Sequence, residues 1–282
     1  MIVECVPNFS EGRRTEVVEA IRNAIGPGVL DVTMDADHHR SVITYAGSPE
    51  AMVEAGVRAG EAAAKLIDMR CHRGEHPRVG ALDVLPFVPV EGMTLKQCAD
   101  LAARTGEQIW KRHQIPVYLY EAAARTPERR NLAELRRRIA AGEPPDIGQG
   151  KHETAGVTVV GARKFLIAFN VNLQSQNLEA ASSIAHVVRE SSGGLPSVRA
   201  LGIPLASRGI VQVSMNLTDF EITSIEQAYV AVERQAVMLG IEILESQLIG
   251  LAPRAALNEQ IAGRVKLTGF HEGLILEERL KR

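Results

Sequence analysis

The sequence predicts an α/β chain made of two similar subdomains, each running in the order β-α-β-β-α-β. Three observations carry this. Short β-branched runs alternate with helical periodicities along the chain, the character of the sequence changes once between Glu121 and Gly156, and the element order of the first half then recurs almost unchanged.

Ile2 to Val6 is a short β run ended by Pro7, and Val17, Val18, Ile21 and Ile25 then recur at helical spacing until Gly26-Pro27-Gly28. Val29 to Val32 and Ser41 to Ala46 are β runs separated by the polar turn Asp35 to His39, with His38 read as part of a polar hairpin tip. Ser48-Pro49 starts a helix whose buried stripe is Val53, Val57, Ala64 and Ile67. Val84 to Val90 is a strand that Pro86 and Pro89 confine to an edge or a bulge, because proline cannot donate to a ladder. Thr94 caps a helix to about Lys111, and Val117 to Tyr120 closes the unit.

The charged stretch Arg129 to Ala141 and the loop after it mark a boundary region, and the subdomains are set at 1–165 and 166–282. In the second, Lys164 to Leu173, Val198 to Leu205, Gly209 to Asn216 and Ile241 to Ile249 read as strands, and Leu178 to Val188 and Ser224 to Leu239 as helices.

Bulk properties narrow the function. With 282 residues, 45% hydrophobic and 23% charged, the chain can bury a core and is neither disordered nor fibrous. Thirty-two Lys and Arg against 34 Asp and Glu give a formal net charge of −2, so no overall positive field exists to hold nucleic acid, and any anion site is local. The first residues lack a basic start and an apolar run, and no stretch reaches the length of a membrane span; the expectation is a cytoplasmic protein without a membrane partner. Cys5, Cys71 and Cys98 form neither an even set nor a Cys-x-x-Cys pair, which argues against a disulfide framework.

The densest polar cluster is Cys71-His72-Arg73-Gly74-Glu75-His76-Pro77-Arg78. Gly74 and Pro77 oppose helix continuation, so this is loop, where a histidine can take a proton from an amine and return it to a leaving amine; a solvated surface turn is the other reading. A metal site using His72 and His76 requires one helical face, which the glycine and proline undo, so no metal is expected. The loop Asp146 to Gly156 contains three glycines and Lys151, and reads either as an anion cradle or as a flexible linker between subdomains; it lacks Walker A spacing.

Three blocks carry a family resemblance: Val6-Pro7-Asn8-Phe9-Ser10-Glu11-Gly12, Gly74-Glu75-His76-Pro77-Arg78-Val79-Gly80-Ala81-Leu82-Asp83-Val84, and Gly161-Ala162-Arg163-Lys164-Phe165-Leu166-Ile167-Ala168-Phe169-Asn170. In these, in Pro116 to Tyr120 and in Gln212 to Leu217, the chain resembles the formiminotransferases over nearly its whole length. The resemblance implies two ferredoxin-like subdomains with helices on the outer faces of the sheets, a substrate tunnel between them and a homodimer. It implies transfer of a formimino group from formiminoglutamate to tetrahydrofolate, with His76 as the catalytic residue.

The resemblance also implies folate binding by Gly148, Gln149, Gly150, Lys151, His152, Glu153, Thr154, Ala155 and Gly156. Asn8, Arg40, Arg78, Arg163 and Lys164 are the candidates for holding anionic substrate groups, the arginines and the lysine by charge-assisted hydrogen bonds. Two positions depart from the family, His39 where members often have Asn and Thr33 where mammalian members have Asp, both on the donor side. The sequence leaves open a folate-dependent formyltransferase, a glycine formimidoyltransferase and a non-catalytic folate-binding module.

Overall fold

The computed structural model describes residues 1–73 and 78–281. The chain divides into two compact units, Met1–Lys164 and Phe165–Arg282.

In the first unit β1 (Ile2–Cys5) and β2 (Asn8–Phe9) form one line of strand interrupted at Val6-Pro7. Then follow α1 (Thr15–Ile25), β3 (Val29–Asp35), β4 (Arg40–Gly47), α2 (Pro49–Leu66) and β5 (Leu82–Glu91). The β1/β2 line lies between β4 and β5, and β3 pairs β4, all antiparallel, which is the ferredoxin-like order. The predicted stripe of α1 is buried, and Val53 and Val57 of α2 face the same core as Val3, Cys5, Ile43, Tyr45, Leu85 and Phe87. Each fully buried side chain of this kind contributes about 1.5–3 kcal/mol relative to exposure.

This unit continues beyond the ferredoxin-like core. α3 (Leu95–His113), held at its start by a Thr94–Gln97 capping box, leads to β6 (Val117–Glu121), α4 (Leu132–Ala140) and β7 (Thr158–Ala162). β7 inserts between β5 and β6, parallel to both. The first unit therefore does not close at Tyr120, and the charged stretch and glycine-bearing loop belong inside it. Its charges are internally paired: Arg129, only 8% exposed, bonds Glu143 at 2.7 Å and Asp146 at 2.5 Å, while Asp146 also accepts from the Leu119 N–H at 2.8 Å.

β5 is a central strand, so the edge reading of its prolines is corrected and the bulge reading is the one that applies. Pro89 sits at the register shift between Ile2 and Val3, and Pro86 lies opposite the break at Val6-Pro7, where the ladder is already interrupted. Helices cover both faces of this sheet. α1, α2 and α3 share one core, whereas Leu135 and Ile139 of α4 pack on Val84, Tyr118, Tyr120 and Val159 from the opposite face.

The second unit runs β8 (Ile167–Leu173), α5 (Leu178–Val188), β9 (Val198–Leu205), β10 (Ile210–Leu217), α6 (Ile225–Met238) and β11 (Ile243–Ile249). Its sheet order is β11-β8-β10-β9, antiparallel throughout, again ferredoxin-like. Ile167, Phe169, Val171 and Leu173 alternate into the core beneath α5 and α6. Among the described residues no helix is long and apolar enough to cross a membrane.

Candidate functional site

Alternation along the strands turns polar side chains to the side away from α1–α3. Ile43 and Tyr45 enter the helix-covered core, so Arg40, Val42 and Thr44 of β4 face the other way, as does Asn8 beside the buried Phe9. Asp83, 3% exposed, is the organising carboxylate: one oxygen accepts from the Val79 N–H at 2.8 Å and the other pairs with Arg136 of α4. Arg78 donates to the carbonyl oxygen of His38. His38 is itself 3% exposed and bonds Asp35 through its ring at 3.0 Å and its backbone N–H at 2.7 Å. The reading of His38 as a polar hairpin tip is thereby corrected: it is interior.

The charges of this cluster act on one another. Burial lowers Arg78 to about 10, and the charges of Arg40 and Arg136 push the same way while Asp83 opposes them. Burial also lowers Arg40, with Asp35 and Asp83 offsetting part of the effect and Arg136 adding to it. The structure thus gathers Arg40 and Arg78, two of the predicted anion-holding residues, and adds Arg136, which the sequence reading missed.

Arg163 and Lys164 are placed elsewhere. Arg163 N–H donates to Phe87 O at 3.1 Å, beyond the end of β7. Phe87 is about 13 Å along the strand from Asp83, at roughly 3.3 Å per residue.

A second group flanks the 74–77 segment. Glu11, 1% exposed, accepts from the N–H groups of Arg13 and Arg14 at 2.9 and 3.0 Å and from the Arg14 side chain at 2.6 Å. Burial raises its pKa, but these bonds more than offset that and hold it at about 2. The ring of His39 bridges Glu11 Oε1 at 3.2 Å and the Arg73 carbonyl at 2.8 Å, and stacks on His72. Both partners are acceptors, so the ring nitrogen that carries the hydrogen donates to one of them. Glu11, His39, His72 and Cys71 line a cavity of about 360 Å³. His76 and Glu75 lie outside the described residues. Among the described residues no group of three or more His, Cys, Asp or Glu is arranged to hold a metal ion.

The glycine-bearing loop is not a linker between the units; it is tied into the first one. Val79 O accepts from Val157 N–H at 3.0 Å, Ala155 O accepts from Ala81 N–H at 2.9 Å, and Gly80 bridges Gly156. A Cβ at Gly80 would collide with the Val157 carbonyl, so a side chain there would part the two segments. His152 Nδ1 accepts from Ala155 N–H at 3.0 Å, and Arg70 pairs with Glu153 at 2.9 Å. The half from His152 to Gly156 is anchored in this way, while Gly148 to Lys151 is exposed.

The second unit contributes a polar sheet face of its own. Opposite its helices, Asn170, Asn172 and Gln212 are buried; Gln212 Nε2 donates to Asn172 Oδ1 at 2.8 Å, and Asn172 Nδ2 donates to Glu245 at 2.9 Å. The strict alternation Phe-Asn-Val-Asn-Leu in β8 was the available signal for these residues.

Residues 2–163 match the formiminotransferase domain, N-terminal subdomain, and residues 168–266 match the formiminotransferase domain. The chain belongs to the formiminotransferase family, whose members are transferases. Within it, the chain is 42% identical to the glutamate formimidoyltransferase of Thermoplasma acidophilum, over 100% of this chain and 98% of that protein. It is 42% identical to the glutamate formimidoyltransferase of Streptococcus pyogenes, over 91% of this chain and 90% of that protein. It is also 43% identical to the formimidoyltransferase-cyclodeaminase of Sus scrofa, over 93% of this chain but 52% of that protein.

Proposed function

We propose that this chain is a glutamate formimidoyltransferase, moving the formimino group of N-formimino-L-glutamate to N5 of tetrahydrofolate and releasing 5-formiminotetrahydrofolate and L-glutamate. The observation that carries the reading is the 42% identity, end to end, with a glutamate formimidoyltransferase. The cluster of Arg40, Arg78 and Arg136 supports it, because the donor is a dicarboxylate and guanidinium groups pair with carboxylates through two parallel hydrogen bonds.

In this reaction N5 forms a bond to the formimino carbon, and the tetrahedral intermediate then breaks its bond to the glutamate nitrogen. The proton lost by N5 is carried to the departing nitrogen by His76. Asn8, Arg40, Arg78, Arg163 and Lys164 hold anionic groups, and Gly148 to Gly156 bind folate. Tetrahydrofolate is a co-substrate and no metal takes part. The chain works as a homodimer in the cytoplasm, in histidine degradation; its unpaired cysteines agree with a reducing compartment.

The test is turnover by the purified chain with tetrahydrofolate and a panel of formiminoglutamate, formiminoglycine and formylglutamate. Transfer from formiminoglutamate is expected, and His76→Ala should lower it by roughly 10²–10⁴-fold while folate binding persists. Transfer from formylglutamate alone would make the chain a formyltransferase. Folate binding without turnover on any donor would make it a binding module.

A further inference from the structure

We propose that Arg136, together with Arg40 and Arg78, forms a receiving site for one carboxylate group of a ligand, with Asp83 as the residue that positions it. The members come from separate elements: Arg40 opens β4, Arg78 precedes β5 and Arg136 lies on α4. Asp83 ties the site together by holding Arg136 and the Val79 N–H at once.

The charge count favours an anion. Among the described residues, three guanidinium groups face two carboxylates, Asp35 and Asp83, a surplus of one positive charge in a half-buried setting. Asp35 is committed to His38 and Asp83 to Arg136 and Val79. Arg78 Nε and Arg136 Nε are buried and have no hydrogen-bond partner among the described residues. Buried donors without acceptors are costly, and so is uncompensated buried charge, so a bound acceptor of negative charge relieves both penalties. A surplus of one charge matches a carboxylate better than a phosphate dianion, and the planar guanidinium presents the fork that a carboxylate accepts.

The identity of the ligand rests on the functional reading given above; the existence of the site does not. Two sources offer the same chemistry, the amino-acid donor and the glutamyl tail of folate. The experiment uses the full chain and its Arg136→Gln and Arg136→Lys variants. L-glutamate and tetrahydrofolate are each titrated by calorimetry, KM and kcat are measured for both substrates, and the melting temperature is recorded without ligand.

Arg136→Gln is expected to weaken binding and raise KM for one of the two ligands by roughly 10–100-fold, with kcat changed far less and Arg136→Lys recovering part of the loss. Which ligand is affected identifies the source. Unchanged affinity for both, with only the melting temperature lowered, overturns the proposal and leaves Arg136 as a structural partner of Asp83. Should Arg136→Gln fail to fold, Arg136→Lys decides alone, since loss of the fork at preserved charge must still weaken binding. If the native chain turns over no donor, the functional reading fails, while the titrations still decide the carboxylate site.

Discussion

The imidazole of His39 stacks on that of His72, ring centroids 4.4 Å apart and planes 25° from parallel. One ring of the pair is pinned between Glu11 and the Arg73 carbonyl, and the other is kept neutral. Burial lowers His72 to about 4, and the positive charges of Arg78 and His39 add to the effect. A histidine depressed in the folded state takes up its proton more readily when unfolded. Stability is therefore intact above about pH 6.5 and is lost as pH falls from there through 4. Glu11, lowered to about 2 in the folded state, loses its contribution below about pH 4.5, so the two losses follow one another as acid is added.

His72→Gln removes the first of these. Because the ring is only partly shielded, its contribution is about 1 kcal/mol, which for a chain of this size shifts the melting temperature by roughly 2–4 °C. Calorimetric scans from pH 7 to 4 should show a melting temperature that falls less steeply in the variant. Parallel curves would show that His72 titrates in the folded state as it does in the unfolded one.

Asp83→Asn keeps an acceptor for the Val79 N–H but leaves Arg136 without its carboxylate, in a pair whose side chains are 4% and 16% exposed. Breaking a buried ion pair in this way costs about 3 kcal/mol. Trp110 is the only tryptophan in the chain and lies in α3 of the first unit, so its fluorescence in urea follows that unit. The midpoint should drop with the slope unchanged; a midpoint within error of the native chain would show that the pair contributes little.

What the sequence made legible, and what it did not, follows from the range over which each signal acts. In the second unit the four strands and the two long helices were read to within three residues, because each has one buried and one polar or exposed side and so shows its period, while the short helices Glu259–Arg264 and Leu276–Leu280 were not read. β7 was missed: Thr158–Ala162 is buried at every position, with parallel neighbours on both sides, and leaves no alternation to read. The charged run through α4 looked like a boundary because its charges are satisfied by partners far along the chain, Arg129 by Asp146 and Arg136 by Asp83. Arg78 could be nominated from inside a resemblance block, and Arg40 from the family comparison at the neighbouring His39. Glu11 and Asp83 stood inside quoted blocks without a role, since a carboxylate reveals its partners only in three dimensions.

The last prediction separates the two ends of the exposed part of the glycine-bearing loop. Gly148 has φ +86, and a Cβ added there would lie 2.5 Å from Trp110 Cε3 and 2.6 Å from its Cδ2, so the loop begins in close contact with the face of that indole. Gly150 has φ +66, and among the described residues nothing lies within 4 Å of where its Cβ would stand, so only the backbone conformation opposes a side chain. Gly148→Ala combines backbone strain with a collision against a ring packed on α3, and should cost about 2–4 kcal/mol; Gly150→Ala should cost about 1 kcal/mol. Thermal melts check the order. Folate binding is expected to act on the same stretch: Lys151 is exposed, and tetrahydrofolate or a stable analogue should slow its cleavage by trypsin while raising the melting temperature by mass action. Gly150→Ala, the milder of the two for stability, should weaken that protection if the folate lies against the backbone at this point. Stabilisation by folate with unchanged cleavage at Lys151 would remove Gly148 to Lys151 from the folate site, leaving the anchored half from His152 to Gly156 and the neighbouring arginines to hold it.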